Sequence, residues 1–285
     1  MLLTETKNGS QPIHITYFEG HLELVKWLTD EGGVSLTAQD KDGGQPIHYA
    51  CMNGHLEVVK WLAEQDGPPP PAGKQEFHTA TSFQGSKPCY VFKMDTQGLG
   101  YYFDTNSADI WEPFGVSVSP SHEGGVLLTA ETKKDSQPIH ISCFKGHLEL
   151  VKWLEEQDWV SLTAKDNCGW QPIHCACDNG HLEVVKWLEE QDGVSLTAKT
   201  KNCSQPIHRA CEEGQLKVAQ WLANEGWVSL TAEDNDCCQP IHCASRKGHL
   251  ELVKWLAQKY YGVSLTADNN DCWQPMHYAC CNGHL

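Results

Sequence analysis

Histidine and cysteine are the residues of this chain whose chemistry first suggests a site. The 285 residues include 15 histidines and 14 cysteines, side chains that bind metals and act as bases or nucleophiles in many proteins. Most of the histidines recur at two fixed offsets of one pattern: His14, His21, His48, His55, His140, His147, His174, His181, His208, His242, His249, His277 and His284. We therefore interpret them together with the element that repeats.

The cysteines form no recognisable metal site. They cluster near the same pattern, as in CCQPIHC from Cys237 to Cys243. Structural zinc sites usually show one C-x₂₋₄-C pair answered by a second pair, and no such pairing is evident. The sequence also lacks a clear nucleophile–base pair, a glycine-rich phosphate loop and a carboxylate dyad. We therefore predict no metal, no cofactor and no enzymatic activity.

The repeating element is marked by the anchor QPIH, which is once QPMH. It begins at Gln11, Gln45, Gln137, Gln171, Gln205, Gln239 and Gln274. Successive anchors are 34 or 35 residues apart, except for an interval of 92 residues between the second and the third. A period of this length predicts a solenoid of stacked units, with a foreign segment inserted after the second. We number the units repeat 1 to repeat 7.

The fourth copy predicts two helices. Pro172 suits the first turn of a helix, where its missing N–H costs nothing. Gly180 stands where a left-handed residue would end that helix. The next run, HLEVVKWLEE, carries Leu182, Val185 and Leu188 on one apolar face. The VSLTA that follows predicts a short extended piece, so each unit is helix, turn, helix and extended turn.

The composition excludes several classes of function. A net charge of −16 argues against nucleic acid and anionic membrane surfaces, which both need clustered lysine and arginine. No apolar run approaches 18 residues, so we predict no membrane-spanning helix. The first residues, MLLTETKNGS, carry no secretory signal. Cysteines that recur at repeat offsets fit reduced thiols, and we expect an intracellular protein, in the cytoplasm or the nucleus.

The repeat resembles the ankyrin repeat. QPIHxAxxxGHLEVVKWL is similar to the ankyrin pattern TPLHxAAxxGHxxxVxxLL, and VSLTAxDxxG is similar to its hairpin. The similarity covers residues 1–67 and 126–285. It implies a mainly α solenoid of helix-turn-helix units joined by β-hairpins, with histidines that hydrogen-bond backbone around the turns. The usual tip glycine is replaced by Asp135, Cys203, Cys237 and Cys272, so we expect strain at those tips.

The same resemblance implies where a partner binds. Ankyrin stacks usually bind proteins on a concave face made of hairpin tips and first helices. Aromatic and arginine side chains often anchor protein interfaces, and this face carries six of them: Tyr49, Phe144, Trp170, Arg209, Arg246 and Trp273. The alternative is that these are merely variable, solvated positions.

Residues 68–125 differ in composition from the repeats. They open with PPPPAG, typical of extended polyproline. Two alternating aromatic runs around GLG predict a hairpin, followed by a third strand that ends at Ile110 and Trp111. This order resembles a WW domain, a three-stranded antiparallel β module, over residues 89–115.

The WW resemblance implies a groove for proline-rich segments. In it, Tyr101 and Trp111 would hold a ligand proline, with Phe103 and Thr105 beside them. Readers of PPxY often carry histidine where Thr105 stands, so the expected ligand is plain or leucine-containing polyproline.

These interpretations predict a chain of five parts. Repeats occupy residues 1–67 and 126–285, the last one truncated, with linkers at 68–88 and 116–125 around the WW-like domain. We expect the stack to continue across the insert, because both junctions fall between a helix and the next hairpin. The predicted function is a monomeric adaptor that binds other proteins, including proline-rich segments. The alternative is a degenerate or purely structural array, or a fragment, because neither end carries a polar capping repeat.

Overall fold

A computed structural model describes residues 6–66, 127–258 and 262–284, together with three strands between residues 77 and 103. The chain forms two compact units. One unit contains Met1–Trp61 and Leu128–Leu285, and the other contains Leu62–Leu127. The first unit holds the repeats.

Each repeat has a first helix that begins at the proline of its anchor. The preceding glutamine is extended, with φ between −102° and −86°, and proline is favoured at the first helical position because its φ is already helical. The first helices are α1 (Pro12–Glu19), α3 (Pro46–Met52), α5 (Pro138–Lys145), α7 (Pro172–Asp178), α9 (Pro206–Glu212), α11 (Pro240–Lys247) and α13 (Pro275–Cys281).

A glycine turn separates the first helix from the second. Gly146, for example, has φ +77°, and a Cβ there would lie 2.3 Å from His181 Nδ1, so only glycine fits. The second helices are α2 (Leu22–Asp30), α4 (Leu56–Asp66), α6 (Leu148–Glu155), α8 (Leu182–Glu189), α10 (Leu216–Asn224) and α12 (Leu250–Leu256).

The core lies between the two helix rows. The isoleucine after each anchor proline is at most 1% exposed in repeats 1 to 6. Burial of each of these side chains stabilises the fold by about 1.5–3 kcal/mol relative to leaving it exposed. In α8, Val184, Val185 and Leu188 are buried. The prediction of an apolar face through Leu182 is corrected, because Leu182 is only half-buried and Val184 points into the core instead.

The stack continues from repeat 2 to repeat 3. His48 Nε2 donates to the carbonyl oxygen of Ala130 at 2.9 Å, and the backbone N–H of Lys133 donates to the backbone carbonyl oxygen of Asp42 at 2.9 Å. Helices α3 and α5 pack against each other as the other neighbouring first helices do. Successive first helices contact each other more closely than successive second helices, so the first helices form the inner row of the stack.

The fold-class prediction is wrong about the joins between repeats. No strand occurs among the described residues of the repeats, so the predicted β-hairpins are hydrogen-bonded turns. In repeat 4 the Asp166 N–H donates to the Trp170 oxygen at 2.9 Å, and Lys201 N–H donates to the Cys168 oxygen of the preceding turn at 3.0 Å. The few backbone bonds of this turn close it and connect it to its neighbours without forming the regular ladder of a strand pair.

The prediction of an inserted WW-like module is also wrong. The insert contains β1 (Phe77–Thr79), β2 (Tyr90–Asp95) and β3 (Gly98–Phe103), antiparallel and in the order β1-β3-β2. A WW-like module needs its third strand after the hairpin, at Ile110 and Trp111. The strand paired with the hairpin instead precedes it, in the predicted linker. Alternation of aromatic residues marks strands, but it does not decide which outer strand pairs. The mainly helical solenoid is the part of the fold class that stands.

Three of the turn tips carry cysteine in a left-handed conformation. Cys203, Cys237 and Cys272 have φ between +55° and +58°, whereas the equivalent Gly169 has φ +80°. A Cβ on Gly169 would lie 2.8 Å from the Lys201 nitrogen. A left-handed residue that bears a Cβ costs roughly 1–2 kcal/mol, so these tips are strained.

We expect Cys203→Gly to stabilise the stack. Relief of the left-handed strain outweighs the extra chain entropy of glycine, for a net gain of about 0.5–1 kcal/mol in the free energy of unfolding. Urea unfolding followed by circular dichroism measures it. The matched control is Cys168→Gly on the neighbouring turn, because Cys168 has no positive φ and its change should destabilise by about 0.5 kcal/mol. Equal effects of the two changes would contradict the strain.

Candidate functional site

The anchor histidines bond backbone through both ring nitrogens. In repeat 4, Gln171 N–H donates to His174 Nδ1 at 3.1 Å, and Nε2 donates to the Ala198 oxygen at 3.0 Å. Because Nδ1 accepts a backbone N–H, the ring is the neutral tautomer with its proton on Nε2. The same pair of bonds occurs in repeats 1, 2, 3, 5 and 6. Each ring ties a helix start to the segment that leads into the next repeat.

Burial lowers the pKa of several of these imidazoles. The pKa of His174 is lowered to about 4, chiefly by burial and also by the nearby Arg209 charge. Burial likewise lowers the pKa of His48, His140 and His208. These rings are neutral at pH 7 and both of their nitrogens are occupied, so they serve the fold.

The second set of histidines connects neighbouring repeats. His55 Nε2 donates to the Phe18 oxygen at 2.8 Å, and His181 Nε2 donates to the Phe144 oxygen at 3.0 Å. In repeat 5 the equivalent residue is Gln215, whose Nε2 donates to the backbone carbonyl oxygen of Asp178 at 3.1 Å. The backbone bonds implied by the ankyrin resemblance are therefore present at these positions.

Cysteines at the equivalent core position of the first helices are buried packing residues. Cys51, Cys143, Cys177 and Cys211 are fully buried, and burial raises the pKa of each thiol, to about 12 for Cys51. Protonated thiols are poor nucleophiles and poor metal ligands. Within the described part of the chain, no group of three or more His, Cys, Asp or Glu is placed to hold a metal ion.

The inner row of helices instead carries an apolar strip. We define it as the side chains four and seven residues after the anchor glutamine in repeats 1 to 3: Ile15, Phe18, Tyr49, Met52, Ile141 and Phe144. Ile15 is 49% exposed and Phe144 is 37% exposed, and the other four are half-buried. Large, partly exposed apolar side chains therefore recur on three adjacent helices at the same two offsets.

The hydroxyl of Tyr49 is already committed. It donates to Asp40 Oδ2 at 2.6 Å and lies 3.0 Å from Ser10 Oγ. The Asp40 carboxylate also accepts the N–H groups of Asp42 and Gly44 at its tip. Tyr49 therefore presents mainly its ring to the strip.

In repeats 4 to 6 the same offsets carry two cysteines, Cys175 and Cys243, and four charged residues, which we call the charge ladder: Asp178, Arg209, Glu212 and Arg246. Arg209 donates from Nη2 and Nε to Asp178 Oδ1 at 2.8 and 3.1 Å, and from Nη1 to Glu212 Oε2. Arg246 Nη2 donates to Glu212 Oε1 at 3.1 Å. The guanidinium of Arg209 also lies 4.4 Å from the centre of the Trp170 ring, a cation–π distance.

The ladder is desolvated at its centre. The side chains of Asp178, Arg209 and Glu212 are 13%, 19% and 16% exposed. Burial raises the pKa of Asp178, and Arg209 offsets part of that rise. Arg246 is 40% exposed and makes a single bond to the ladder. Arg209 thus serves as an internal tie between repeats, while Arg246 keeps donors open to solvent.

The six residues predicted for the concave face divide into three kinds. Tyr49 and Phe144 lie in the apolar strip, and Trp170, Arg209 and Arg246 belong to the ladder or pack on it. Trp273 is 38% exposed and packs edge-on to Tyr278, with ring centres 5.1 Å apart. Sequence reasoning missed Ile15, Phe18, Met52 and Ile141, although their shared offsets from the anchor were visible.

Of the four residues predicted for a proline groove, the structure describes two. Tyr101 and Phe103 lie on β3, and Thr105 and Trp111 lie outside the described residues. The WW-like arrangement that would have joined them is withdrawn.

Comparison with protein families gives two matches. A model described as "Ankyrin repeats (many copies)" matches residues 7–63, and one described as "Ankyrin repeats (3 copies)" matches residues 123–200 and 207–285. The chain belongs to the ankyrin repeat family. Neither match extends over residues 64–122, so the comparison gives a WW-like domain no support. Comparison with curated proteins gives no match.

Family membership supports a general role. Ankyrin repeats mediate protein–protein interactions, and their families are generally non-enzymatic. In the described part of this ankyrin chain, no helix is both long enough and apolar enough to cross a lipid bilayer.

We expect the stability of the stack to fall as the pH drops from about 6.5 towards about 4. The folded-state pKa of His174 lies below the unfolded value. In that pH range the unfolded chain therefore binds a proton that the folded chain does not, and this stabilises the unfolded state. The loss from His174 alone is on the order of 3 kcal/mol. Urea unfolding across this pH range measures it. His174→Gln is the control and should show a weaker pH dependence; an unchanged slope would contradict the role of the ring.

Arg209→Ala should destabilise the stack by about 2–3 kcal/mol, because it leaves the largely buried Asp178 carboxylate without its counter-charge and removes one of the two arginine partners of Glu212. The free energy of unfolding at neutral pH measures this. Lys254→Ala is the matched control, since Lys254 pairs with Glu251 at 2.7 Å with both side chains well exposed. It should cost no more than about 0.5 kcal/mol. Similar losses in both variants would contradict the buried character of the ladder.

Proposed function

We propose that this ankyrin chain is a non-enzymatic scaffold that binds a protein partner on the inner row of its helices. The observation that carries the proposal is the apolar strip. Exposed apolar patches of this kind on a soluble surface usually serve binding, and the strip recurs on three adjacent helices at the same two offsets.

The predicted concave-face residues take different parts in this proposal. Phe144 and Tyr49 contact the partner through their rings, and Arg246 offers it a charged donor. Arg209 is a positioning residue, because its donors are bonded to Asp178 and Glu212. Trp170 supports Arg209, and Trp273 extends the surface at repeat 7.

The proposal keeps two further parts of the sequence-based expectation. The scaffold acts as a monomer and works inside the cell, where thiols such as Cys51 stay reduced. Proline-rich ligands are no part of it, because the module that would bind them is not supported. The second candidate, a purely structural array without a partner, is favoured by no specific contact and is the outcome that the following experiment would reveal.

The proposal predicts that partners crosslink to the strip and not to the outer helices. A photo-crosslinking phenylalanine analogue is placed at position 144 and, as the matched control, at position 24. Leu24 is 45% exposed on the second helix α2, so it resembles Phe144 in apolarity and exposure. After irradiation in an extract of the source cell, mass spectrometry should identify a protein bound at 144 and absent at 24.

A second measurement gives the contribution of single strip side chains to the affinity for the partner. For the partner so identified, Ile15→Ala and Phe144→Ala should each weaken binding about tenfold, as interface anchors do. Leu24→Ala should change the dissociation constant less than about twofold. No difference between the two crosslinking positions would favour the purely structural array.

A further inference from the structure

We propose that the partner segment bound at the apolar strip is an amphipathic helix with large apolar residues at every seventh position and basic residues on its remaining face. This inference rests on the function proposed above and adds the conformation, spacing and charge of the ligand. It is carried by the strip's spacing, by its lack of free hydrogen-bond donors and by the charge of the chain.

The spacing comes from the packing of α1, α3 and α5. Neighbouring packed helices lie about 8–10 Å apart, so the strip presents one pair of apolar side chains at each such interval. Residues seven apart on a helix rise about 10.5 Å and return to nearly the same face. Residues on one face of a strand are about 6.6 or 13 Å apart, so an extended β segment falls out of step.

A polyproline II segment rises about 9.3 Å every three residues and so matches the spacing too. The hydrogen bonds decide against it. The only donor among the six strip side chains is the Tyr49 hydroxyl, which donates to Asp40. The oxygens of Phe18 and Phe144 already accept histidine N–H groups. A polyproline ligand would lose water from its carbonyls without a replacement, whereas a helix bonds its own backbone.

Charge complementarity sets the sign of the ligand's outer face. The chain carries a net charge of −16, and a field of this sign attracts basic segments and speeds their association. Residues beside the strip bear both signs, Glu19 and Lys145 among them, so the sign comes from the chain as a whole. A basic face on the helix complements that field, while its apolar stripe contacts the strip.

The test is selection from a display library of random peptides of about 21 residues, or three heptads, on the full chain. Baits are the wild type, Phe144→Asp and the matched outer variant Leu24→Asp, and each bait's helical circular dichroism confirms its fold. Selected peptides should show large apolar residues seven apart, with lysine and arginine between them. They should become helical on binding, and should bind Phe144→Asp at least about tenfold more weakly while binding Leu24→Asp normally.

The outcomes separate this inference from the proposed function. Peptides that depend on Phe144 but carry proline every third residue, alternate apolar residues or an acidic face would overturn the basic helix and leave inner-row binding standing. Peptides that bind Phe144→Asp as well as wild type would overturn the helix inference at this site. If, in addition, the crosslinker at position 144 captured no protein, the proposed function would fall with it.

Discussion

The doubly bonded anchor histidine is the interaction on which the rest of the structure depends. One ring nitrogen accepts the N–H of the anchor glutamine and the other donates to a carbonyl 24 or 25 residues later, or 82 across the insert. Because a repeat buries its apolar face only against its neighbours, this bond fixes where each next unit begins. These two bonds also require a neutral imidazole. The ring therefore serves the fold, because neither nitrogen is free to act in catalysis.

The inner row follows from that constraint. Once each first helix starts at the same place, side chains four and seven residues after the anchor fall at equivalent positions in every repeat. Apolar side chains there give an open strip in repeats 1 to 3, and charged ones give a bonded ladder in repeats 4 to 6. The two halves differ in what they offer. The strip can exchange water for a partner's apolar surface, whereas the ladder centred on Arg209 is largely satisfied by its own partners.

Much of the fold could be predicted from the sequence, because period and punctuation are local. Pro172 begins a helix and a left-handed glycine such as Gly146 ends one. The contacts of Arg209 could not be predicted, since Trp170 and Asp178 reach it from repeat 4 while Glu212 lies on its own helix. The prediction for the insert was wrong for a related reason. Alternating aromatics marked strands near Phe92 and Tyr101, which are register partners, but the pairing of Phe77–Thr79 with β3 is a non-local choice.

All seven repeats form one stack joined across the insert by a histidine bond, and native-state hydrogen exchange of the full chain can measure this continuity. We expect similar opening free energies for amides of α3 and α5, on either side of the insert, because His48 bonds the Ala130 carbonyl there. His48→Gln should lower protection in both helices together. If α1 to α4 exchanged freely while α5 to α13 stayed protected, and the variant changed neither, the single stack would be contradicted.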